Sequence, residues 1–507
     1  MSTSTRSLAA ASGASFVGAM VSAGAGFLLT LVLGRTLGPG GAGVVLQTIG
    51  VLTIAVGVGK VGLDTTAIWL LPRTRADEPA AVRGVVRGLL VAGFCASLVV
   101  AGVLALLAPW LFAGPGSAQV LEAVRATAWF LPAAVVATVG LAATRGLGGI
   151  GPYTLIGSIA VPGSRPLLVL VVGALGGGAV AAAVSWVAVL AVALVPVALV
   201  LRSRVRRVER AADVGAALPL ERAVVVRAAR FTLPRSLSSA IELAQQWLDV
   251  ILVGALAGPA AAGVYGAATR FVAAGMVPST SLRVVVAPQF SAALHAGDTG
   301  TAEDVYRRTT SWIVLLSLPV YALLALFGGT VLSLLGPEFR AGAALLPVLG
   351  AGAAISVMTG NVQSLLLMSG RSGWVAVNKA VVLAVLVIGL VAAIPLLGLP
   401  GAALAWAVAA TTDAALASTQ VSRLLRIRLE LGVLATAFGA SAVPYLVAGG
   451  VARWWLGDSV EGLVVGAAVG SVLFVAATWA LRGRLDVQGA FRLLRRRGGG
   501  TPREETR

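Results

Sequence analysis

The chain has 507 residues, of which 58% are hydrophobic and only 11% are charged. Soluble domains carry about 25% charged residues, so the composition excludes an ordinary soluble protein and indicates a polytopic membrane protein. The net charge of +18 comes mostly from arginines in alternate loops, which excludes a nucleic-acid reader, whose charge would gather on one folded face. With one cysteine and one histidine, we expect no zinc site and no catalytic Cys/His pair. We also expect no cofactor, and no enzyme, because no sizeable outer loop carries the acidic residues of a membrane glycosyltransferase or polymerase.

Apolar runs of about 20 residues recur along the chain and predict fourteen transmembrane helices. They lie near residues 11–34, 42–64, 86–109, 119–142, 152–174, 178–201, 231–256, 264–287, 311–335, 342–368, 373–396, 400–421, 433–455 and 461–481. Arginines cluster after the even-numbered spans, so the positive-inside rule places both termini in the cytoplasm. The richness in arginine, alanine and glycine is typical of a GC-rich bacterial genome, so we expect a multi-pass protein of a bacterial cytoplasmic membrane.

One short motif occurs twice, 220 residues apart. Its first copy contains Gly34, Gly38, Pro39, Ala42, Gly43 and Val44, and its second contains Gly254, Gly258, Pro259, Ala262, Gly263 and Val264. Tight turns attract glycine and proline, so chance coincidence is the alternative explanation. Because the flanking spans also correspond, we interpret the motif as the trace of a duplication.

The duplication predicts the architecture. Six spans return the chain to its starting side, so the halves are related by an axis along the membrane normal and enclose a central cavity. The predicted fold is all-α, with two parallel six-helix lobes and two extra C-terminal helices. The predicted parts are an N-terminal lobe (1–201), a basic cytoplasmic linker (202–230), a C-terminal lobe (231–421), spans thirteen and fourteen (422–481) and a basic cytoplasmic tail (482–507).

Span seven carries a polar stripe at spacings of 4, 3, 4 and 3 residues. Its members are Arg235, Ser239, Glu242, Gln246 and Asp249. At roughly 100° and 1.5 Å per residue, the stripe occupies an arc of about 80° and a height of about 21 Å. A carboxylate facing lipid would cost roughly 2.5 to 3.5 kcal/mol, so the stripe is predicted to face protein or a water-filled cavity. Its acids would hold a lumen arginine such as Arg270 of span eight, or bind a coupling cation.

Three further groups of charged residues lie within spans. Arg165, in the proline-interrupted fifth span, is predicted to line the cavity, with a structural salt bridge as the alternative. Asp413 of span twelve either lines the second lobe or pairs with Lys379 of span eleven. Lys60 and Asp64 are four residues apart and are predicted to pair on one helix face.

The end of span one carries a family resemblance. Its residues Gly34-Arg35-Thr36-Leu37-Gly38-Pro39-Gly40-Gly41-Ala42-Gly43 resemble the R-x-L-G-P-x-x-x-G signature of bacterial polysaccharide and O-antigen flippases, which belong to the multidrug/oligosaccharidyl-lipid/polysaccharide exporter superfamily. Gly62-Leu63-Asp64-Thr65-Thr66 and Gly336-Pro337-Glu338-Phe339 are similar to further family features. The resemblance covers spans one to twelve. It departs at Val44 and Val45, where an aromatic residue often follows the glycine, and only Arg35 carries over as a motif arginine.

The resemblance implies a transporter that flips a polyprenyl-pyrophosphate-linked oligosaccharide to the outer leaflet by alternating access, for cell-surface polysaccharide biosynthesis. A cavity that bears arginines would attract the pyrophosphate. The implied partners are this lipid-linked substrate, membrane lipids, and a polysaccharide polymerase and glycosyltransferases of the same pathway; proton or sodium coupling stays open. Two alternatives remain, a multidrug or organic-cation antiporter of the same fold and a non-transporting scaffold of envelope assembly. A cation exporter would need a carboxylate near the middle of the membrane in spans one to six, and the sequence has none there.

Overall fold

The computed structural model describes the chain except for Met1, Pro115 and residues 215–221, 428–429 and 484–507. The side chains of residues 2–16, 222–231 and 233–239 also lie outside the description. The predicted positions that fall there are the centre of the linker, nearly all of the C-terminal tail, and the side chains of Arg235 and Ser239.

All the regular secondary structure in the described chain is helical, and the α-helices are numbered in chain order. The first half contains α1 (Ser2–Gly59), α2 (Leu63–Asp77), α3 (Val82–Leu111), α4 (Ala118–Ala128), α5 (Leu131–Gly146), α6 (Val161–Ala174), α7 (Ala179–Ala211) and α8 (Arg222–Ala257). A π-helix, Tyr153–Ala160, leads into α6. The second half contains α9 (Pro259–Gly275), α10 (Val277–His295), α11 (Thr299–Leu326), α12 (Gly328–Ser333), α13 (Leu345–Met358), α14 (Val362–Met368), α15 (Ser372–Leu397), α16 (Leu399–Leu424), α17 (Leu431–Leu456) and α18 (Val460–Ala480).

The predicted all-α polytopic membrane fold is confirmed. In the described part of the chain, ten segments are long and apolar enough to cross a bilayer, and three bent helix pairs raise the number to thirteen. The first segment, Val17–Asp77, has 61 residues and breaks at Gly38. At 1.5 Å per residue it is about 90 Å long, far more than the roughly 30 Å of one crossing. Counting it as two crossings gives the fourteen spans that the sequence predicts.

The two motif copies have the same local structure. Gly38 and Gly258 both have positive φ, 65° and 90°, a conformation that glycine adopts without a steric cost. Four residues after each break, Ala42 and Ala262 are buried, at 1% and 0% exposure. A span therefore ends, and the next begins, at the same motif position in both copies.

The helices form two compact units, Met1–Gly266 and Ala267–Arg507. In the first unit, α2, α3, α5 and α7 enclose an apolar core around Leu71 and Val139, and α1 packs against α6 and α8. In the second unit, α10, α11, α14 and α16 enclose a core around Phe290 and Tyr306, while α17 and α18 form a hairpin that packs on α11. The division into two six-span lobes at a basic linker stays a prediction.

Exposed tryptophans mark the two ends of the α17–α18 hairpin. Trp454 and Trp455 are exposed at the end of α17, and Trp479 is exposed at the far end of α18. Trp479 lies 19 residues beyond Val460, about 29 Å at 1.5 Å per residue. That length matches the hydrocarbon thickness of a bilayer, at whose interfaces tryptophan is enriched.

The helix α7 extends ten residues beyond the predicted end of span six at residue 201. Arg204 donates hydrogen bonds to the carbonyls of Thr144 and Gly148, near the C-terminus of α5. Glu209 forms an ion pair with Arg83 of α3 at 2.6 Å. These contacts hold the extension against its neighbours and supply partners for terminal carbonyls of α5, which have none inside the helix. The first ten residues of the predicted linker are therefore helical.

Candidate functional site

The second half of α1 runs antiparallel to α8, and glycines allow the two helices to approach closely. A Cβ on Gly57 would lie 2.0 Å from Cδ1 of Leu243, and a Cβ on Gly50 would lie 3.2 Å from Cγ1 of Ile251. The spacing of seven residues keeps these glycines on one face of α1. The face of α8 that carries Leu243 and Ile251 therefore contacts α1.

The third glycine of this series, Gly43, takes part in a reciprocal contact. A Cβ on Gly43 would lie 1.7 Å from the carbonyl oxygen of Pro259, and a Cβ on Gly263 would lie 2.0 Å from that of Pro39. Both pairs join positions of the repeated motif, so the two copies are related here by a local two-fold symmetry. Backbone meets backbone at both points, and a larger residue has no room without movement of a helix. We call this contact the glycine crossing.

One end of the polar stripe is a buried carboxylate. Asp249 is 4% exposed, and its Oδ2 accepts a hydrogen bond from Tyr265 Oη at 3.2 Å. Its Oδ1 accepts a hydrogen bond from the backbone N–H of Val250 at 2.8 Å. Tyr265 follows Gly263 in the second motif copy, so the same segment supplies one half of the glycine crossing and the partner of Asp249.

The central part of the stripe is accessible. Glu242 and Gln246 are exposed, and neither makes a hydrogen bond or an ion pair with any residue that the structure describes. They project about 100° away from the neighbouring α8 residues that contact α1. Glu242 and Asp249 are separated by about 10 Å along the helix axis. The stripe therefore combines an accessible acid with a buried acid. Arg235 and Ser239 would continue it.

Arg165 lies in α6, one turn after the π-helix, and stacks on an aromatic ring. Its guanidinium carbon is 3.7 Å from the centroid of the Trp186 ring, and its Nε donates a hydrogen bond to the Trp186 carbonyl at 3.3 Å. Within the described chain, no carboxylate pairs with Arg165, and its two terminal nitrogens make no hydrogen bond. The alternative of a structural salt bridge is thus not seen among these residues. π-Helical turns inside helices are frequent at functional sites.

The other predicted site arginines lie on α1 and α9. Arg35 is exposed and precedes the break at Gly38 by three residues. Arg270 is half-buried in α9. Both have interaction partners in the structure, so neither is an isolated charge. Their participation in a cavity stays a prediction.

Two ion pairs that the sequence suggested are present. Lys60 Nζ lies 2.8 Å from Asp64 Oδ2, which confirms the predicted pair. Lys379 Nζ lies 3.2 Å from Asp413 Oδ2, so the mutual pair is the arrangement that forms. Gln363 of α14 also donates to Asp413, whose Oδ1 is buried without a partner among the described residues. These residues include no cluster that could hold a metal ion.

Sequence reasoning missed several parts of this arrangement. The seven-residue spacing of Gly43, Gly50 and Gly57 is visible in the sequence and would have indicated a close helix contact. Trp186 gave no signal, because tryptophan is common in membrane spans. Gln363 is a polar residue in an apolar span and could have been named as a partner of Asp413.

Family comparisons agree with this architecture. The family model described as "Polysaccharide biosynthesis protein" matches residues 8–294, more than half of the chain. The chain belongs to this family. A second family model, described as MatE, matches residues 234–396. No curated protein matches the chain.

Solved structures of transporters share the fold. The lipid II flippase MurJ in an inward closed conformation superposes with a TM-score of 0.70 at 10% identity, covering 93% of this chain and 99% of that one. An inward-facing multidrug resistance MATE family transporter gives a TM-score of 0.63 at 17% identity, with coverages of 79% and 95%. A MOP superfamily transporter from Pyrococcus furiosus gives 0.51 at 16% identity, with coverages of 82% and 94%. This member of the polysaccharide biosynthesis protein family is thus a multi-pass membrane protein with the fold of MOP-superfamily transporters.

Proposed function

We propose that the protein flips an oligosaccharide carried on polyprenyl pyrophosphate from the cytoplasmic to the outer leaflet. The observation that carries this proposal is that Arg165 contacts Trp186 and pairs with no carboxylate in the described chain. Its charge lies inside a membrane span, where an arginine costs roughly 2.5 to 3.5 kcal/mol near the centre, and Trp186 holds it without neutralising it. A cation retained at that cost is suited to an anionic ligand.

The geometry of Arg165 favours a phosphate-containing ligand. Stacking on the indole fixes the plane of the guanidinium, and the hydrogen bond from Nε to the Trp186 carbonyl leaves the terminal nitrogens pointing elsewhere. Two parallel N–H groups match two oxygens of a phosphate, so a pyrophosphate would be held by charge-assisted, bidentate hydrogen bonds. The lipid tail of the substrate would remain in the bilayer.

Alternating access would operate through the glycine crossing. Both termini are proposed to lie in the cytoplasm of a bacterial cell, because the positive-inside rule favours that side for the arginine-rich helix ends, and the crossing would then lie at the outer face. Contact at the crossing would close the outer side, and its separation would open the cavity outward. Arg35, Arg235 and Arg270 are proposed to line this path with Arg165.

The stripe on α8 is proposed to serve transport. Glu242, Gln246 and Asp249 would position lumen arginines or bind a coupling cation. The domain division is proposed to follow the predicted lobes and linker. The proposed partners are a polysaccharide polymerase and glycosyltransferases of the same pathway.

A multidrug or organic-cation antiporter is the second candidate, and Glu242 is the observation that favours it. An exposed carboxylate without a described partner, inside a span, would attract a cation as Arg165 attracts an anion. The two candidates differ in which of these residues is essential. A flippase requires Arg165, whereas a cation antiporter requires Glu242 and tolerates the loss of Arg165.

The test is surface-polysaccharide export in the native host carrying Arg165→Ala. We expect export to be lost while the membrane abundance of the protein is unchanged, and Arg165→Lys to be partly defective because an ammonium cannot form the bidentate contact. Arg73→Ala is a matched control, because Arg73 also stacks on a tryptophan, Trp69, at 4.7 Å and donates to its carbonyl. Normal export by Arg165→Ala would refute the proposal.

A further inference from the structure

An open groove of about 490 Å³ lies between α3 and α7, at their arginine-rich ends. Four arginines line it, Arg83 and Arg87 from α3, and Arg202 and Arg206 from α7. In each pair the two residues are four positions apart, so they lie on one face of their helix. Two helices therefore direct positive charge into the same groove.

Most of this charge is not balanced. Glu209 pairs with Arg83 at 2.6 Å. Arg87, Arg202 and Arg206 have no hydrogen-bond or ion-pair partner within the part of the chain that the structure describes. Like charges four residues apart on a helix repel each other, so an anion bound among these three arginines would relieve an unfavourable interaction.

The remainder of the groove is apolar and extends into the membrane span. It is lined by Val86, Leu90, Val91, Ala198, Leu201 and Val205. Val91 lies one turn beyond Arg87, and Ala198 lies one turn beyond Arg202, about 6 Å deeper in each case. The groove therefore presents charge at the membrane interface and hydrocarbon below it.

We propose that this groove binds an anionic glycerophospholipid, with its phosphate on Arg87, Arg202 and Arg206 and an acyl chain along Val91 and Ala198. Basic pockets between helices at the cytoplasmic interface suit anionic headgroups, and on the proposed topology this groove faces that leaflet. An inorganic phosphate would use only the basic half.

The groove is separate from the position of Arg165. Trp186, on which Arg165 stacks, lies in the same helix as Arg202 but sixteen residues away, about 24 Å along the axis. The lipid proposal therefore does not depend on the proposed transport activity. The lipid-linked pyrophosphate has a comparable head and tail, so the experiment must distinguish it from a phospholipid.

The test is native mass spectrometry of the full chain, delipidated and titrated with phosphatidylglycerol. The variant is Arg87→Gln with Arg202→Gln, and the matched control is Arg207→Gln with Arg210→Gln, which removes the same charge from α7 outside the groove. Each interfacial arginine contributes about five-fold in affinity, so we expect the variant to bind about 30-fold more weakly and the control to bind like the wild type.

A second variant keeps the charge and fills the apolar half. Ala198→Trp should weaken phosphatidylglycerol binding, whereas Leu199→Trp on the adjacent exposed position should not. If the arginine variant does not fold, the comparison of Ala198→Trp with Leu199→Trp still tests whether the lipid binds in the groove. Wild-type affinity in both groove variants would overturn the proposal.

Competing ligands complete the test. Phosphatidylcholine should bind at least tenfold more weakly than phosphatidylglycerol, and inorganic phosphate should not displace the lipid at equal concentration. Equal binding of phosphatidylcholine would show that the arginines do not select the ligand and would overturn the proposal. Displacement of phosphatidylglycerol by an equimolar polyprenyl phosphate would also overturn it, since the groove would then belong to the substrate carrier.

Discussion

Substitution of Gly43 by alanine should separate α1 from the start of α9. The new Cβ would lie 1.7 Å from the carbonyl oxygen of Pro259 and 2.6 Å from its carbon, whereas real Cβ contacts are essentially never shorter than 3.0 Å. The obstacle is backbone, which cannot rotate away as a flexible side chain can. The helices must therefore move apart by more than 1 Å, and overpacking of this kind costs about 1 to 3 kcal/mol.

This cost destabilises only the state in which the glycine crossing is closed. It would therefore shift the equilibrium towards the open state by roughly 5- to 150-fold. The assay is electron-spin distance measurement in a Cys95→Ser background, with labels on cysteines at Gly40 and Ala260. Gly40 has open space around it and Ala260 is exposed, so the labels should be tolerated. We expect Gly43→Ala to add a population at longer distance.

Three comparisons make this prediction specific. Gly26→Ala in the same helix meets no atom within 4 Å and should leave the distance distribution unchanged. Gly263→Ala should reproduce the effect of Gly43→Ala, because its Cβ would meet the carbonyl of Pro39 at 2.0 Å. The double substitution should cost less than the sum of the two, since the first change already parts the helices. A wild-type distribution in Gly43→Ala would refute the reasoning.

Two further predictions test side-chain contacts, and a third tests the topology. Tyr265→Phe removes a hydrogen bond to the carboxylate of Asp249 and should lower the free energy of unfolding, measured by thermal denaturation, by about 1.5 to 3 kcal/mol. The control Tyr153→Phe should leave it unchanged. Equal stability of the two variants would contradict the role of the Tyr265 phenol. Lys379→Met leaves the charge of Asp413 without its ion-pair partner, while Gln363 still donates to it, and should destabilise the protein by about 1 to 3 kcal/mol. Adding Asp413→Asn should recover part of this loss, and no recovery would show that the pair is not the cause. Impermeant maleimide should label cysteines from outside intact cells at Gly40 and Gly178 but not at Ser203 and Gly373, and the reverse pattern would invert the topology.

The helix breaks were predictable because their causes are local. Gly38 and Gly258 precede proline at corresponding points, and a glycine followed by proline marks a turn wherever it occurs. The spans themselves follow from the length of each apolar run. The end of α7 did not follow from hydropathy, because contacts from Arg204 and Glu209 to other helices continue the helix beyond its apolar part.

The partners of the site residues were less predictable than the residues themselves. The spacing of the stripe identified Asp249 as a residue that would avoid lipid, but the phenol of Tyr265 reaches it from the next helix. Arg165 stands out as a charge in an apolar span, whereas Trp186 lies beneath it only because of how α6 and α7 are rotated about their axes. Such rotations depend on packing along the whole helix, which local sequence patterns do not reveal.

Flipping by the purified protein tests the central claim most directly. The full chain would be reconstituted into vesicles with polyprenyl-pyrophosphate-linked oligosaccharide extracted from host membranes, and an impermeant lectin would report how much glycan faces outward. We predict that the wild type and Arg73→Ala expose the inner pool, and that Arg165→Ala leaves it protected. Protection in the wild type, or exposure by Arg165→Ala at the wild-type rate, would contradict the account.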